Sequence, residues 1–444
     1  MRIPFAVLAA CLSLAAQAEA IGYQGARHLL DRAGFGATDR EVREYAALGR
    51  VEAVDRLLAG ARREAVTPAP PFVAEPIVPA REMRALSVDE RKDVNKHFVQ
   101  EGLELRAWWL QEMLATPSPL TERMTLFWHN HFATSQRKVR QPQLLYRQNV
   151  LLRRQALGNF AVLLHQVAKD PAMLVYLDNA RSRREAPNEN FAREVMELFT
   201  LGVGHYGEGD VKEAARAFTG WSVDPQTGDY RYRPAFHDAG EKAVLGRRGA
   251  FDGDDVLDIL LARPETARFI AAKMWREFVS PTPDPAEVER WAAVFRESRY
   301  EVKPLLRAVF LSDAFWSPEN RATLVKSPVD LVVGTLHMLD VRPQDLRPAA
   351  VACAALGQNL FAPPNVKGWP GGDAWIDSAT LLGRRQFMER VFADARAGAI
   401  ASSVDERDID RLVLASAAAQ PPGPAVAGAA RLRALVSDPV YQLK

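Results

Sequence analysis

Cysteine is almost absent: the 444 residues hold two, Cys11 and Cys353. Cys11 lies in an N-terminal leader, so the mature chain keeps one thiol and no intramolecular disulfide can form. Without bridges the fold must rest on a large core, which the length and the 48% hydrophobic content allow. Cys353 sits in the apolar run Ala349–Leu356 and reads as a buried small hydrophobe. An excess of one charge is also missing. The net charge is +2 with both signs interspersed, and no basic tract of the kind used on nucleic acid is present. No segment after the leader reaches membrane-spanning length, so a soluble mature chain without a transmembrane anchor is expected. Catalytic fingerprints are lacking as well. There is no Gly-x-Ser-x-Gly elbow, P-loop, dinucleotide fingerprint or His-Glu-x-x-His, and the cysteine count excludes a Cys-x-x-Cys-His haem site.

Residues 1–20 have the pattern of an export signal. Arg2 supplies the charged start, Ile3–Ala16 the apolar run and Ala18-Glu19-Ala20 a small-x-small cleavage site. The mature protein is expected to start at Ile21 and to be periplasmic or extracellular. Leu8-Ala9-Ala10-Cys11 also fits a lipoprotein box with Cys11 lipidated. That reading is the weaker one, because the apolar run before it is shorter than an ordinary signal core.

Helical patterning dominates residues 21–444. Thr38-x-x-Glu41 and Ser87-x-x-Glu90 are capping boxes, and Asp210-x-x-Glu213 resembles one. Pro119, Pro142, Pro264, Pro285 and Pro328 each stand where a first helical turn tolerates proline. Fifteen helices are predicted, including 39–59, 87–115, 119–132, 190–201, 210–220, 328–340, 377–397 and 405–418. Alternation over Asp229–Phe236, together with Ala243-Val244-Leu245, predicts one small hairpin. The Pro-rich residues 61–86 and the Pro/Gly/Ala-rich residues 420–428 read as mobile loops. The expected fold is mainly α: a multi-helical single unit with one small β-hairpin.

Four constellations carry possible chemistry. In Pro187–Gly202 (PNENFAREVMELFTLG), a regular helix places Asn190, Arg193, Glu194, Glu197 and Thr200 within roughly 120° of arc. Carboxylates at i and i+3 can present metal ligands, or Arg193 and Glu197 can simply pair at i,i+4. Asn188 and its neighbours can cap that helix instead of contacting a ligand. In Trp128-His129-Asn130-His131, a continuous helix points the imidazoles about 200° apart, so joint chelation requires the helix to end near Trp128. Otherwise His131 is buried and His129 lies at the surface. The loop His237-Asp238-Ala239-Gly240-Glu241-Lys242 gathers a base, an acid and a cation, or is an ordinary turn. Trp369 and Trp375, in and after the Pro/Gly segment 363–372, form either a binding platform or a core plug.

The order of these motifs resembles the bacterial family known as domain of unknown function 1800. The resemblance runs from His28-Leu29-Leu30-Asp31-Arg32-Ala33-Gly34-Phe35-Gly36 through Leu126–Phe132 and Pro187–Gly202 to Ala215-Arg216-Ala217-Phe218-Thr219-Gly220-Trp221. The loop 237–242 and the segment Asn365–Gly372 complete it. It covers nearly the whole mature chain. Ser182 departs from a pattern that often has Asn there, which weakens a site role for residues 179–186. The resemblance implies export, often beside a co-encoded secreted sulfatase-like or phosphatase-like protein. It brings no catalytic residues with it.

Two functions are therefore expected as alternatives. The first is a metal-assisted hydrolase. In it, a divalent ion is held by residues among His129, His131, Glu194, Glu197, His237 and Asp238. Glu194 or His237 activates water, and Lys242 or Arg193 stabilises developing charge. Asn188, Asn190, Arg193, Trp221, Trp369 and Trp375 are the candidate ligand contacts. The second is a non-catalytic cell-envelope accessory or binding protein that serves a partner enzyme through its Trp-bearing loops.

Overall fold

The computed structural model describes residues 19–394, 398, 400 and 404–444. Residues 1–18 of the expected leader, Cys11 among them, lie outside the described residues. The chain is mainly α-helical, and its helix starts follow the local chemistry. Thr38 and Glu41 exchange hydrogen bonds at the head of Asp39–Ala46, and Ser87 and Glu90 do so at the head of Val88–Ala115. All five prolines singled out above open a helix. Asp210 takes a different role from the one expected. The helix starts earlier, at Glu208, and Asp210 reaches back to the Gly207 N–H at 2.9 Å.

Some boundaries differ for physical reasons. The stretch 39–59 is two helices, Asp39–Ala46 and Arg50–Ala59, because the chain turns at Gly49 and Leu48 accepts a hydrogen bond from Ile21. The helix Gly22–Ala33 is absent from the sequence-based set, since its buried side chains include Arg27, His28, Asp31 and Arg32. A charged inward face erases the apolar period that marks a helix. The segment 61–86 is pinned rather than loose. Glu112 accepts the Val66 and Thr67 N–H groups, Gln141 accepts that of Val78, and Phe72 and Ile77 are buried.

Strand structure among the described residues is confined to two antiparallel pairs. Strand β1 (Trp221–Val223) pairs with β2 (Tyr230–Tyr232), and β3 (Lys242–Val244) pairs with β4 (Arg247–Gly249). Of the expected strand residues, Tyr230–Tyr232 and Ala243-Val244 are extended, whereas Pro234–Phe236 form a 3-10 turn, and each strand pairs with a near neighbour in sequence rather than with the other. Short loop closure explains this, because the entropic cost of closing a loop rises with its length.

The interior comprises two hydrophobic clusters. One is built around Trp128, Phe132, Phe160, Phe199 and Phe218. The other is built around Trp109, Leu145, Val332, Trp369 and Tyr441. Ile21, Tyr45 and Tyr176 pack against both. Cys353 is a free, buried thiol, and burial pushes its pKa up to about 12. No described helix is long and apolar enough to cross a membrane.

Candidate functional site

The helix Pro119–His131 runs unbroken through both histidines. The imidazoles therefore point away from each other and cannot share an ion. His129 is also not at the surface. It is 1% exposed, ringed by Trp109, Phe361 and Trp369, and its Nε2 accepts the Phe361 N–H at 3.1 Å. Burial lowers its pKa to about 3, which keeps it neutral. The whole polar side of this helix is inside, with Glu122 held bidentately by buried Arg153 at 2.6 and 2.9 Å. His131 is buried as expected. It lies between the Phe199 carbonyl at 3.2 Å and the Lys273 ammonium at 2.9 Å, so Nε2 carries the proton and Nδ1 accepts. Both histidines fasten core elements together.

The Pro187–Gly202 motif is not one regular helix. It is an α-helix over Glu189–Glu194 that passes into a π-helix over Val195–Thr200. The wider turn is visible in the bond from Leu201 N–H to Met196 O, and the Thr200 hydroxyl bonds back to Val195 O. Thr200 consequently leaves the polar stripe and is fully buried. Asn188 caps the helix, accepting the Phe191 N–H while its amide donates to Leu177 O. Asn190 is exposed. Arg193 does not pair with Glu197. It forks onto Glu208 with two bonds of 2.7 Å. Glu197 instead accepts a hydrogen bond from the Tyr206 hydroxyl.

Glu194 is the exception in this neighbourhood. Its carboxyl is half-buried and makes no hydrogen bond or ion pair among the described residues. Burial raises its pKa, the charge of Glu197 raises it further, and Lys367 and Arg193 offset only part of this. An acid raised by burial and by a like-charged neighbour is the pattern found in proton-transferring groups.

The 237–242 loop is tied up by its own contacts. Asp238 is held bidentately by Arg216 at 2.7 and 3.1 Å, which lowers its pKa. Lys242 is buried and spends its ammonium on the Asp238 and Gly240 carbonyls. His237 directs Nδ1 at the Thr219 carbonyl, 3.0 Å away. Lys242 is thus a strut for the loop. Trp221 is likewise internal, packed on Phe218 and Tyr230. Trp369 and Trp375 are 5% and 6% exposed, so they plug the core and offer no open platform.

These placements do not bring His129, His131, Glu194, Glu197, His237 and Asp238 around one ion. Among the described residues, the group of three His, Cys, Asp or Glu whose ligand atoms all lie within 4.8 Å of one another is Glu75, His97 and Glu101. What the fold does bring together is the Leu126–Phe132 and Asn365–Gly372 segments. Asn130 Oδ1 accepts the Trp369 N–H at 2.7 Å, and Gly368 lies directly against Asn130. That contact carries exposed Lys367 to the face of Glu194. Tyr176 lies near Glu194, whose charge adds to burial in raising its pKa, while Arg137 lowers it. Lys367, Arg137, Tyr176 and Tyr206 were not singled out from sequence. Lys367 lay within a quoted motif, whereas the other three had no local signal.

A family model described as "Protein of unknown function (DUF1800)" matches residues 28–443. The chain belongs to the DUF1800 family. No curated protein and no solved structure matches it. In this DUF1800 chain, two of the segments that carried the resemblance, Leu126–Phe132 and Asn365–Gly372, meet through Asn130 and Trp369, and the second brings Lys367 near Glu194 in a third, Pro187–Gly202. Ser182 in turn is buried and accepts the Asn188 N–H at 3.1 Å, so it props the same helix start.

Proposed function

We propose that this DUF1800 protein is an exported hydrolase whose reactive pair is Glu194 and Glu197. The observation that carries the reading is Glu194: half-buried, unpartnered and raised in pKa beside a second carboxylate. Glu194 would carry a proton and deliver it to the leaving oxygen of an ester or glycoside. Glu197, oriented by Tyr206, would take the proton of the attacking water. Exposed Lys367 would meet the negative charge that develops. The export part of the reading rests on the leader-like pattern of residues 1–20.

The test is hydrolysis of chromogenic phosphoesters, sulfate esters, carboxylic esters and glycosides by the mature protein. One class should be turned over, and Glu194→Gln and Glu197→Gln should each lower kcat by about 10²–10⁴-fold. Turnover that survives both substitutions would sink the reading.

A second reading, the cell-envelope accessory protein, draws on a different surface. The helices Ser378–Phe392 and Gly428–Ser437 flank a groove of about 1130 Å³ lined by Leu381, Met388, Phe392, Val436 and Val440. Arg433 stands among its lining residues, and Arg385 there is paired with Glu389 at 3.0 Å, so an amphipathic helix laying its apolar face into the groove, from a co-encoded secreted protein, is the matching occupant. Capture of that protein by wild type but not by Met388→Glu would favour this reading. Equal capture by both would remove it.

A further inference from the structure

The helix Val88–Ala115 carries His97 and Glu101 one turn apart, on one face. His97 Nε2 lies 3.0 Å from Glu101 Oε1. Glu75 approaches from the opposite segment. It follows the 3-10 turn Pro71–Ala74, which fixes its backbone through a 3.1 Å bond from its N–H to Phe72 O, and Pro76 stiffens the exit. The ligand atoms of Glu75, His97 and Glu101 all lie within 4.8 Å of one another.

An i,i+4 His–Glu pair on a helix is often no more than a surface contact. Glu101 differs from that case. It is 3% exposed, and its second oxygen, Oε2, is buried with no hydrogen-bond partner. A buried carboxylate oxygen without a partner is unfavourable, and native proteins rarely leave one. Burial accordingly raises the Glu101 carboxyl, and Glu75 and Glu104 add to this while His97 counteracts it. A cation at this point would satisfy the orphan oxygen and relieve the repulsion between Glu75 and Glu101 together.

We propose that Glu75, His97 and Glu101 form a binding site for a divalent first-row transition ion. Two carboxylates and one imidazole suit zinc or manganese, and the imidazole disfavours calcium and magnesium. Zinc bonds to N and O of about 2.1 Å hold neighbouring ligands roughly 3.4 Å apart in a tetrahedron. Exposed Glu75 and His97 can close the remaining gap by side-chain rotation. Three protein ligands leave a coordination position for water. The site shares no residue with the Glu194–Glu197 face.

The test is calorimetric titration of the tag-free, metal-stripped mature protein with zinc chloride, with melting followed in parallel. One ion per chain should bind and raise Tm. His97→Ala and Glu75→Gln are exposed positions whose loss leaves the fold intact. Each should weaken binding by roughly tenfold or more, and so should Glu101→Gln. Glu194→Gln should bind zinc like wild type, which keeps this site independent of the proposed hydrolytic pair. Absence of binding in wild type overturns the proposal. Binding unchanged in both His97→Ala and Glu75→Gln, or lost in Glu194→Gln, also overturns it.

Discussion

Glu194 is a carboxyl that the folded chain holds in the wrong environment for its charge. Burial first, and Glu197 second, favour its protonated form. Its folded pKa lies above the unfolded value, so the ionised group destabilises the fold at neutral pH. That penalty is complete above the folded pKa and disappears below the unfolded value of about 4.3. Glu194→Gln should therefore raise Tm at pH 7 and leave it unchanged near pH 3.5. A lower Tm at pH 7 would mean that the carboxylate serves the structure. Other residues were less legible from sequence. Helical periodicity correctly sends His129 and His131 to opposite sides. It cannot show that the supposed polar side is packed against Trp109 and Phe361, the latter 232 residues away.

At the level of elements, the most informative departure is the π turn at Val195–Thr200. Single π turns tend to occur at functional sites, and no residue pattern in Pro187–Gly202 announces one. The amphipathic period still placed Arg193, Glu194 and Glu197 on the half-exposed side, although Glu197 lies within the wider turn. The partners on that stripe were not legible. Arg193 chose Glu208, and Glu197 chose Tyr206, both brought in by the next turn of chain. The loop carrying Lys367 depends on Gly368. This residue has φ +80°, and an added Cβ would lie 2.6 Å from the Asn130 carbonyl oxygen. Gly368→Ala should destabilise the protein by about 1–3 kcal/mol in denaturant unfolding. It should also lower activity by displacing Lys367. A variant with unchanged stability would show that the loop is not held by this contact.

Across the whole molecule, charge is buried between distant segments. Asp330 bonds to Arg123 and, at 2.9 Å, to the Lys444 ammonium, while Arg32 reaches the Phe278, Val279 and Lys444 carbonyls. Burial alone pushes the Asp330 carboxyl up, and Arg123 and Lys444 more than reverse that, holding it below the ordinary carboxylate range. Its stabilising contribution is thus present above the unfolded value of about 3.9 and lost as pH falls through the lower folded value. Asp330→Asn should lose about 3–5 kcal/mol at pH 7, because the buried Lys444 ammonium loses its carboxylate partner and Arg123 keeps only Glu277, at 3.4 Å. The deficit should narrow below about pH 4. This network explains why the fold class was readable and the helix Gly22–Ala33 was not. Composition and capping signals report α content, whereas a helix buried through Arg27, Asp31 and Arg32 looks like loop.

The central claim is that the Glu194–Glu197 face does chemistry. Its most direct test is turnover and Tm measured on the same samples of wild type and Glu194→Gln at pH 7. The account predicts that turnover falls by at least about a hundredfold while Tm rises. Retained turnover, or turnover and Tm falling together, would contradict it.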